Sequence, residues 1–331
     1  MKVAVFSTKA YDETHLNKFN EGKHEFTYIP ARLTKLTASL ADGHEAICCF
    51  VNDQLSTECI EIMANYGVQY IAMRCAGYNN VDLNACAQHN IKVVRVPEYS
   101  PYAVAEHAVA LMMDLNRNIH RAFSRVREHY YILDGLLGFD MYGKTIGVIG
   151  TGKIGVCLIK IMLGFGCKVV AYDLYPSDEV KALGVDYRSL NDLYKLSDVI
   201  SLHCPLNSDT HHMINAAALN KMKKGVMIIN TSRGGLVDTV AVIEGLKTEQ
   251  IGHLGLDVYE EETDLFFEDF SNTILQDDVF ARLLTFSNVV ITGHQAFFTR
   301  EALDAISKVT LNNLTALELG DLDKACLIPF P

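Results

Sequence analysis

Apolar residues along this 331-residue chain fall into short, nearly unbroken runs separated by stretches with helical spacing. KVAVFS (2–7), AICCFV (46–51), QYIAMR (69–74) and IKVVRV (91–96) are bounded by polar residues and too short for buried helices, so they read as strands. The stretch from His24 to Pro30 is a further candidate strand. A second series begins at 145, with TIGVIG (145–150), KVVAYD (168–173), VISLHC (199–204), VMIINT (226–231), HLGLDV (253–258) and NVVITG (288–293). It predicts a six-stranded sheet, and Val289 to Ile291 read as a buried strand. Between the two series lies SPYAVAEHAVALMMDLNRN, where Pro101 suits a first helical position and Val104, Ala108, Leu111, Met112 and Leu115 recur at helical spacing. One long connecting helix is expected. A last helical rhythm, Leu303, Ile306, Val309, Leu311 and Leu314, occupies 299–320 and could pack on either sheet. Strands alternating with helices twice over predict the α/β class, with parallel sheets in two doubly wound domains.

Composition narrows the function classes. The length suits two domains, and 49% hydrophobic with 21% charged residues is ordinary for a soluble globular protein. The longest apolar tract, Val156 to Ala171, is interrupted by Lys160 and Lys168, so no membrane span is expected. The N-terminus reads as a first strand rather than a signal peptide, and the expected compartment is the cytoplasm. Nine cysteines, odd in number and without a C-x-x-C pair, read as reduced thiols, with no metal site expected. A net charge of −11 opposes nucleic-acid binding. The one basic cluster, KMKKG (221–225), is read as lysines near a helix C-terminus capped by Gly225.

The sharpest motif is Gly150-Thr151-Gly152-Lys153-Ile154-Gly155, which closes one apolar strand and opens a helix; the next strand ends in Asp173, 18 residues after Gly155. In that context G-x-G-x-x-G predicts a dinucleotide site. Gly150 allows the tight turn, Gly152 lets a pyrophosphate approach the backbone, and Gly155 brings helix and strand together. The helix N-terminus offers N–H groups to phosphate. Asp173 would accept hydrogen bonds from the adenosine ribose hydroxyls and repel a 2′-phosphate, which favours NAD over NADP.

Three further stretches lie at strand ends, where doubly wound sheets bind ligands. They are NTSRGGLVD (230–238), LDVYEEE (256–262) and TGHQAFF (292–298). Hydride transfer between nicotinamide and a 2-oxo acid needs a cation for the carboxylate and a proton donor for the carbonyl oxygen. Arg233 suits the first, through planar bidentate pairing. His294, lifted out of the strand by a turn at Gly293, suits the second, and Glu262 on its other ring nitrogen would orient it and favour its protonated form. Singly, each has a plainer reading: a surface arginine beside a Gly-Gly turn, one solvated acid of three, a histidine in a turn. Behind a dinucleotide fingerprint, at successive strand ends, the catalytic reading is the stronger one.

GTGKIG, Asp173, HCPL (203–206), NTSRGGLVD, LDVYEEE and GHQAFFT occur in the order of the D-isomer-specific 2-hydroxyacid dehydrogenase family, and the chain resembles that family over essentially its whole length. The resemblance implies a flavodoxin-like substrate domain from 1–98 plus 296–331, a Rossmann NAD-binding domain from 99–295, and an active site in the cleft. It implies Arg233 as the carboxylate arginine, His294 as acid/base and Glu262, rather than Glu260, as its partner. Cofactor contacts carried over are Lys153 and Ile154 at the phosphates, Cys204 and Pro205 flanking the adenosine, Thr210, the backbone of Thr231 and Ser232, and Asp257 near the nicotinamide amide. The backbone N–H groups around Ala76, Gly77 and Tyr78 would help hold the carboxylate. VPEYSPYAVAEHA (96–108) and GHQAFFTREAL (293–303) most resemble the family's fermentative D-lactate branch. There Tyr99 would hydrogen-bond the substrate and Phe297 would wall off its methyl side, so pyruvate and D-lactate are the expected pair. The alternatives are a hydroxyisocaproate-type enzyme with a larger pocket and an NADH-sensing corepressor, for whose added tails the span from first strand to last helix leaves little room. The resemblance also implies a homodimer built on the cofactor domains, with the helix after Ser100 as a contact. Cys204, if it lies against the adenosine, is either an oxidation-sensitive thiol or a buried inert one.

Overall fold

The computed structural model describes residues 1–262, 265–267 and 269–331. They fall into two compact units, Met1–Ser100 with Phe298–Pro331, and Pro101–Phe297.

The first unit holds five parallel strands: β1 (Lys2–Val5), β2 (Glu25–Tyr28), β3 (Ala46–Cys49), β4 (Tyr70–Met73) and β5 (Lys92–Arg95). Their order β2-β1-β3-β4-β5 is that of the flavodoxin-like sheets. The candidate strand at 24–30 is β2. It lies at the sheet edge with alternate residues exposed, which is why its apolar signal is weak. The last helix, Arg300–Leu319, packs on this sheet: Leu314 and Leu317 are buried against Val3, Val5, Ala46, Ala72 and Val94.

The second unit is a seven-stranded parallel sheet formed by β6 (Thr145–Ile149), β7 (Lys168–Tyr172), β8 (Asp186–Tyr187), β9 (Val199–Leu202), β10 (Val226–Asn230), β11 (Ile251–Leu256) and β12 (Val289–Ile291). Its order, β12-β11-β10-β9-β6-β7-β8, is the Rossmann arrangement with one added strand. The expected six became seven because β8 has two residues, too few to show a period. The helix Pro101–Arg117 begins at the proline as expected and buries Ala105, Ala108, Leu111, Met112 and Leu115 in this unit's core. Gly255 lets it lie close to β11, since a side chain there would press on Leu111 and Leu115.

Two expectations need correction. Gly225 caps no helix: the preceding helix ends at Leu219 with Asn220 as its cap, and Gly225, at φ +78°, instead turns the chain into β10, its N–H donating to the Gln250 carbonyl at 3.0 Å. Val289, Val290 and Ile291 are half-buried rather than buried, because β12 is an edge strand paired only with β11. All nine cysteines are free, seven of them buried, and among the described residues no helix is long and apolar enough to cross a membrane.

Candidate active site

Doubly wound sheets bind ligands where the strand order reverses, here between β6 and β9. The glycine turn leaves β6 at that point. Gly150 sits at φ +95°, and any side chain there would collide with the backbone of His203 and Cys204 at the end of β9. A side chain at Gly155 would strike the Gly150 carbonyl, so the helix Lys153–Gly164 can start close to its strand only with glycine there. Gly152, the N-cap of that helix, has open space where a side chain would be. A phosphate could therefore reach the free N–H groups of the first turn, beside exposed Lys153 and half-buried Ile154.

Asp173 follows β7 and is half-buried. Its Oδ2 accepts from the Thr151 N–H (2.6 Å) and hydroxyl (3.0 Å), and its Oδ1 from the Tyr175 N–H (2.9 Å). These bonds fix the carboxylate beside the glycine turn and leave lone pairs for a ribose diol. Thr231 Oγ1 is buried with no protein hydrogen-bond partner, while Ser232 is held by its hydroxyl to the Leu202 carbonyl at 2.8 Å. The Thr210 hydroxyl donates to the Pro205 carbonyl at 2.7 Å, closing the turn after β9. An open helix N-terminus, a fixed acid beyond it and an unsatisfied buried hydroxyl fit a dinucleotide. Cys204 packs its sulfur 3.6 Å from that of Met213, and burial pushes its thiol up to about 11, which leaves little reactive thiolate. Burial likewise pushes the His203 imidazole down to about 4, so it adds no charge at the switch point.

The strand ends of β10, β11 and β12 carry the proposed chemistry. Arg233 is half-buried, one guanidinium N–H on the Ser232 carbonyl at 2.7 Å. His294 Nδ1 lies 2.9 Å from Glu262 Oε1, and the other Glu262 oxygen accepts the Tyr259 N–H at 2.9 Å. Both side chains are about five-sixths buried, with 16% and 17% exposure, so the pair is shielded yet reachable. Glu260 points elsewhere, to His212 and Thr239.

The turn itself departs from expectation: His294, not Gly293, takes the left-handed conformation, at φ +51°. Asp257 holds it there. Its carbonyl accepts the His294 N–H at 2.7 Å, and its carboxylate accepts from Thr292 Oγ1 (2.5 Å), Gln295 N (2.8 Å) and Ala296 N (2.8 Å). Burial opposes that charge, but these bonds, with His107 at 3.3 Å, hold the carboxyl below the usual range. Asp257 is thus fully buried and engaged with the chain carrying His294. Phe267 places its ring 5.7 Å from that of His294. The sequence reading missed His107, Phe267 and this use of Asp257; of the three, only the acid at a strand end left a signal.

In the first unit, Ala76, Gly77 and Tyr78 form a half-buried loop after β4, and among the described residues their N–H groups have no hydrogen-bond partner. Arg95 braces the loop, donating to the Ala76 carbonyl at 2.9 Å and lying 5.2 Å over the Tyr78 ring. Tyr99 is half-buried, and Phe297, the last residue of the second unit, is 7% exposed.

Comparison with known proteins agrees with this architecture. Residues 109–296 match the family described as D-isomer specific 2-hydroxyacid dehydrogenase, NAD binding domain. The chain is 56% identical to the D-lactate dehydrogenase of Escherichia coli K12 over 322 residues, covering 97% of this chain and 98% of that one. The pyruvate reductase of Chlamydomonas reinhardtii superposes with a TM-score of 0.93 at 44% identity, covering 97% of each chain. The D-lactate dehydrogenase of Aquifex aeolicus, solved with NAD and lactic acid, superposes at 0.87 with 33% identity and the same coverage. With the glycine turn, the Rossmann strand order and these relatives in agreement, the chain belongs to the D-isomer-specific 2-hydroxyacid dehydrogenases, and it is an NAD-dependent oxidoreductase.

Proposed function

We propose that the chain interconverts pyruvate and D-lactate, with His294 as acid/base, Glu262 as its partner and Arg233 as the carboxylate arginine. The contact of 2.9 Å between His294 Nδ1 and Glu262 carries this reading, because it commits one ring nitrogen and leaves Nε2 for the substrate. The reduced nicotinamide, when bound, supplies the hydride. Protonated His294 gives its Nε2 proton to the carbonyl oxygen and becomes neutral, with Nδ1–H still directed at Glu262. In the reverse direction Nε2 takes the hydroxyl proton. Arg233 binds the carboxylate in bidentate fashion, and the N–H groups of Ala76, Gly77 and Tyr78 complete its shell. Asp173, in the role proposed for it, disfavours a 2′-phosphate; equal turnover with NADPH would remove that role.

The relatives named for D-lactate and pyruvate support the substrate. Tyr99 and Phe297 are its proposed size filter, and one methylene in such a pocket changes preference by only about 10 to 200-fold. The test is NADH oxidation with a panel of 2-oxo acids, followed by chiral analysis of the lactate. Pyruvate should show the highest kcat/KM and yield the D isomer; L-lactate refutes the assignment, and a branched acid winning points to the hydroxyisocaproate-type reading.

We also infer a homodimer. The helix Ile119–Arg127 buries none of its residues, and Ile119, Phe123 and Val126 on it are more than half exposed, followed by Leu133 and Leu137. So many exposed apolar side chains in one segment suit a second copy of the chain better than water. Sedimentation should give twice the chain mass, and Phe123→Glu should halve it.

A further inference from the structure

We infer that His211, His212 and Glu260 form a binding site for a single transition-metal dication of the Zn2+ class, separate from the residues assigned to pyruvate and NAD. Their ligand atoms all lie within 4.8 Å of one another. Two imidazoles and one carboxylate make a donor set that suits zinc, with water completing the shell. The two rings are stacked, centroids 3.9 Å apart at 23°, and His212 Nε2 is already in contact with Glu260 Oε1. His211 is exposed, so its ring is open to an ion from solvent.

The surrounding structure fixes the other two ligands. The Thr239 hydroxyl donates to Glu260 Oε2 at 3.1 Å, the outer bond that typically orients a metal-binding carboxylate. His212 sits at φ +50°, its N–H donating to the Gly235 carbonyl at 2.8 Å. Gly234 packs so tightly on the backbone of Tyr259 and Glu260 that no side chain would fit between them. The segments carrying His212 and Glu260 are therefore tied to one another through residues 234 and 235, which keeps the gap between the ligands constant before any ion arrives. A plain ion pair explains the His212–Glu260 contact but neither the nearness of a second imidazole nor the Thr239 bond to the other carboxylate oxygen.

The test is independent of the dehydrogenase reading because it follows metal, not turnover. The purified enzyme, stripped with chelator, is titrated with Zn2+ by calorimetry and its bound zinc counted after dialysis. One ion per chain should bind saturably, with about micromolar affinity, and remain bound through dialysis. His211→Asn/His212→Asn, with asparagine chosen because it tolerates the left-handed backbone at 212, should abolish that ion while circular dichroism and NADH binding stay unchanged. Glu260→Gln should do the same, which guards against a misfolded histidine variant. Zinc bound equally by all three proteins, or no saturable binding at 100-fold excess over the chain, overturns the site.

Discussion

The turn from Gly150 to Gly155 and the turn from Thr292 to Ala296 both leave strands of one sheet at their carboxyl ends, yet they are built from different material. The first is made of backbone: Gly150 and Gly155 are fixed by what cannot fit, the chain at His203 and Cys204 for one and the carbonyl of Gly150 for the other. The second is made of side chains, with one buried carboxylate, Asp257, gathering two N–H groups and a hydroxyl so that His294 can hold a left-handed backbone. A steric requirement writes itself into residue identity, since only glycine meets it. A hydrogen-bonding requirement is met by partners far apart in the chain, so it leaves almost no local signature.

Breaking the second turn at its reactive end should give the largest effect. In His294→Gln, NADH binding by fluorescence should persist while kcat falls by about 10² to 10⁴-fold, the usual worth of a positioned acid/base; full turnover returns His294 to a structural role. Next comes Gly155→Ala. A helix interior gains up to ~1 kcal/mol from alanine, but here the new methyl meets a carbonyl that cannot move aside, so denaturant unfolding should show a net loss of about 1–3 kcal/mol.

Asp257→Asn keeps the shape and removes the charge, at a cost of about 1–2 kcal/mol at neutral pH. Because the folded-state carboxyl lies below its ordinary range, that contribution is present above about pH 4 and is lost as the pH falls through the folded value. The stability gap between wild type and variant should therefore close in acid; a gap constant down to pH 2 would mean that the charge is not what holds the turn. The smallest structural effect belongs to Gly152→Ala, where nothing stands in the way. Stability should change by less than about 1 kcal/mol, yet NADH affinity should drop about tenfold as the methyl crowds the phosphate and one hydrogen bond is lost. Unchanged affinity there would break the contrast between the two glycines.

Much of this molecule could be read from residue order alone. Strands buried on both faces, such as β6 and β10, announce themselves as unbroken apolar runs, and Gly150, Gly155 and Asp173 stand at intervals that a tight turn, a close helix and a ribose acceptor require. Arg233, Glu262 and His294 could be named because each follows a strand end. Short or half-exposed elements escaped or misled: β8 is only two residues, β12 looks buried but is an edge, and Gly225 looks like a helix cap but turns the chain into a strand. Chain order determined the class of fold, the dinucleotide turn and the candidate reactive residues, because sterics and periodicity act between near neighbours. Tertiary structure alone decided that Asp257 and His107 support the loop beneath His294, and that Glu260 turns toward His212. Those outcomes depend on distances across 30 to 190 residues of chain, which only the packed sheet can set.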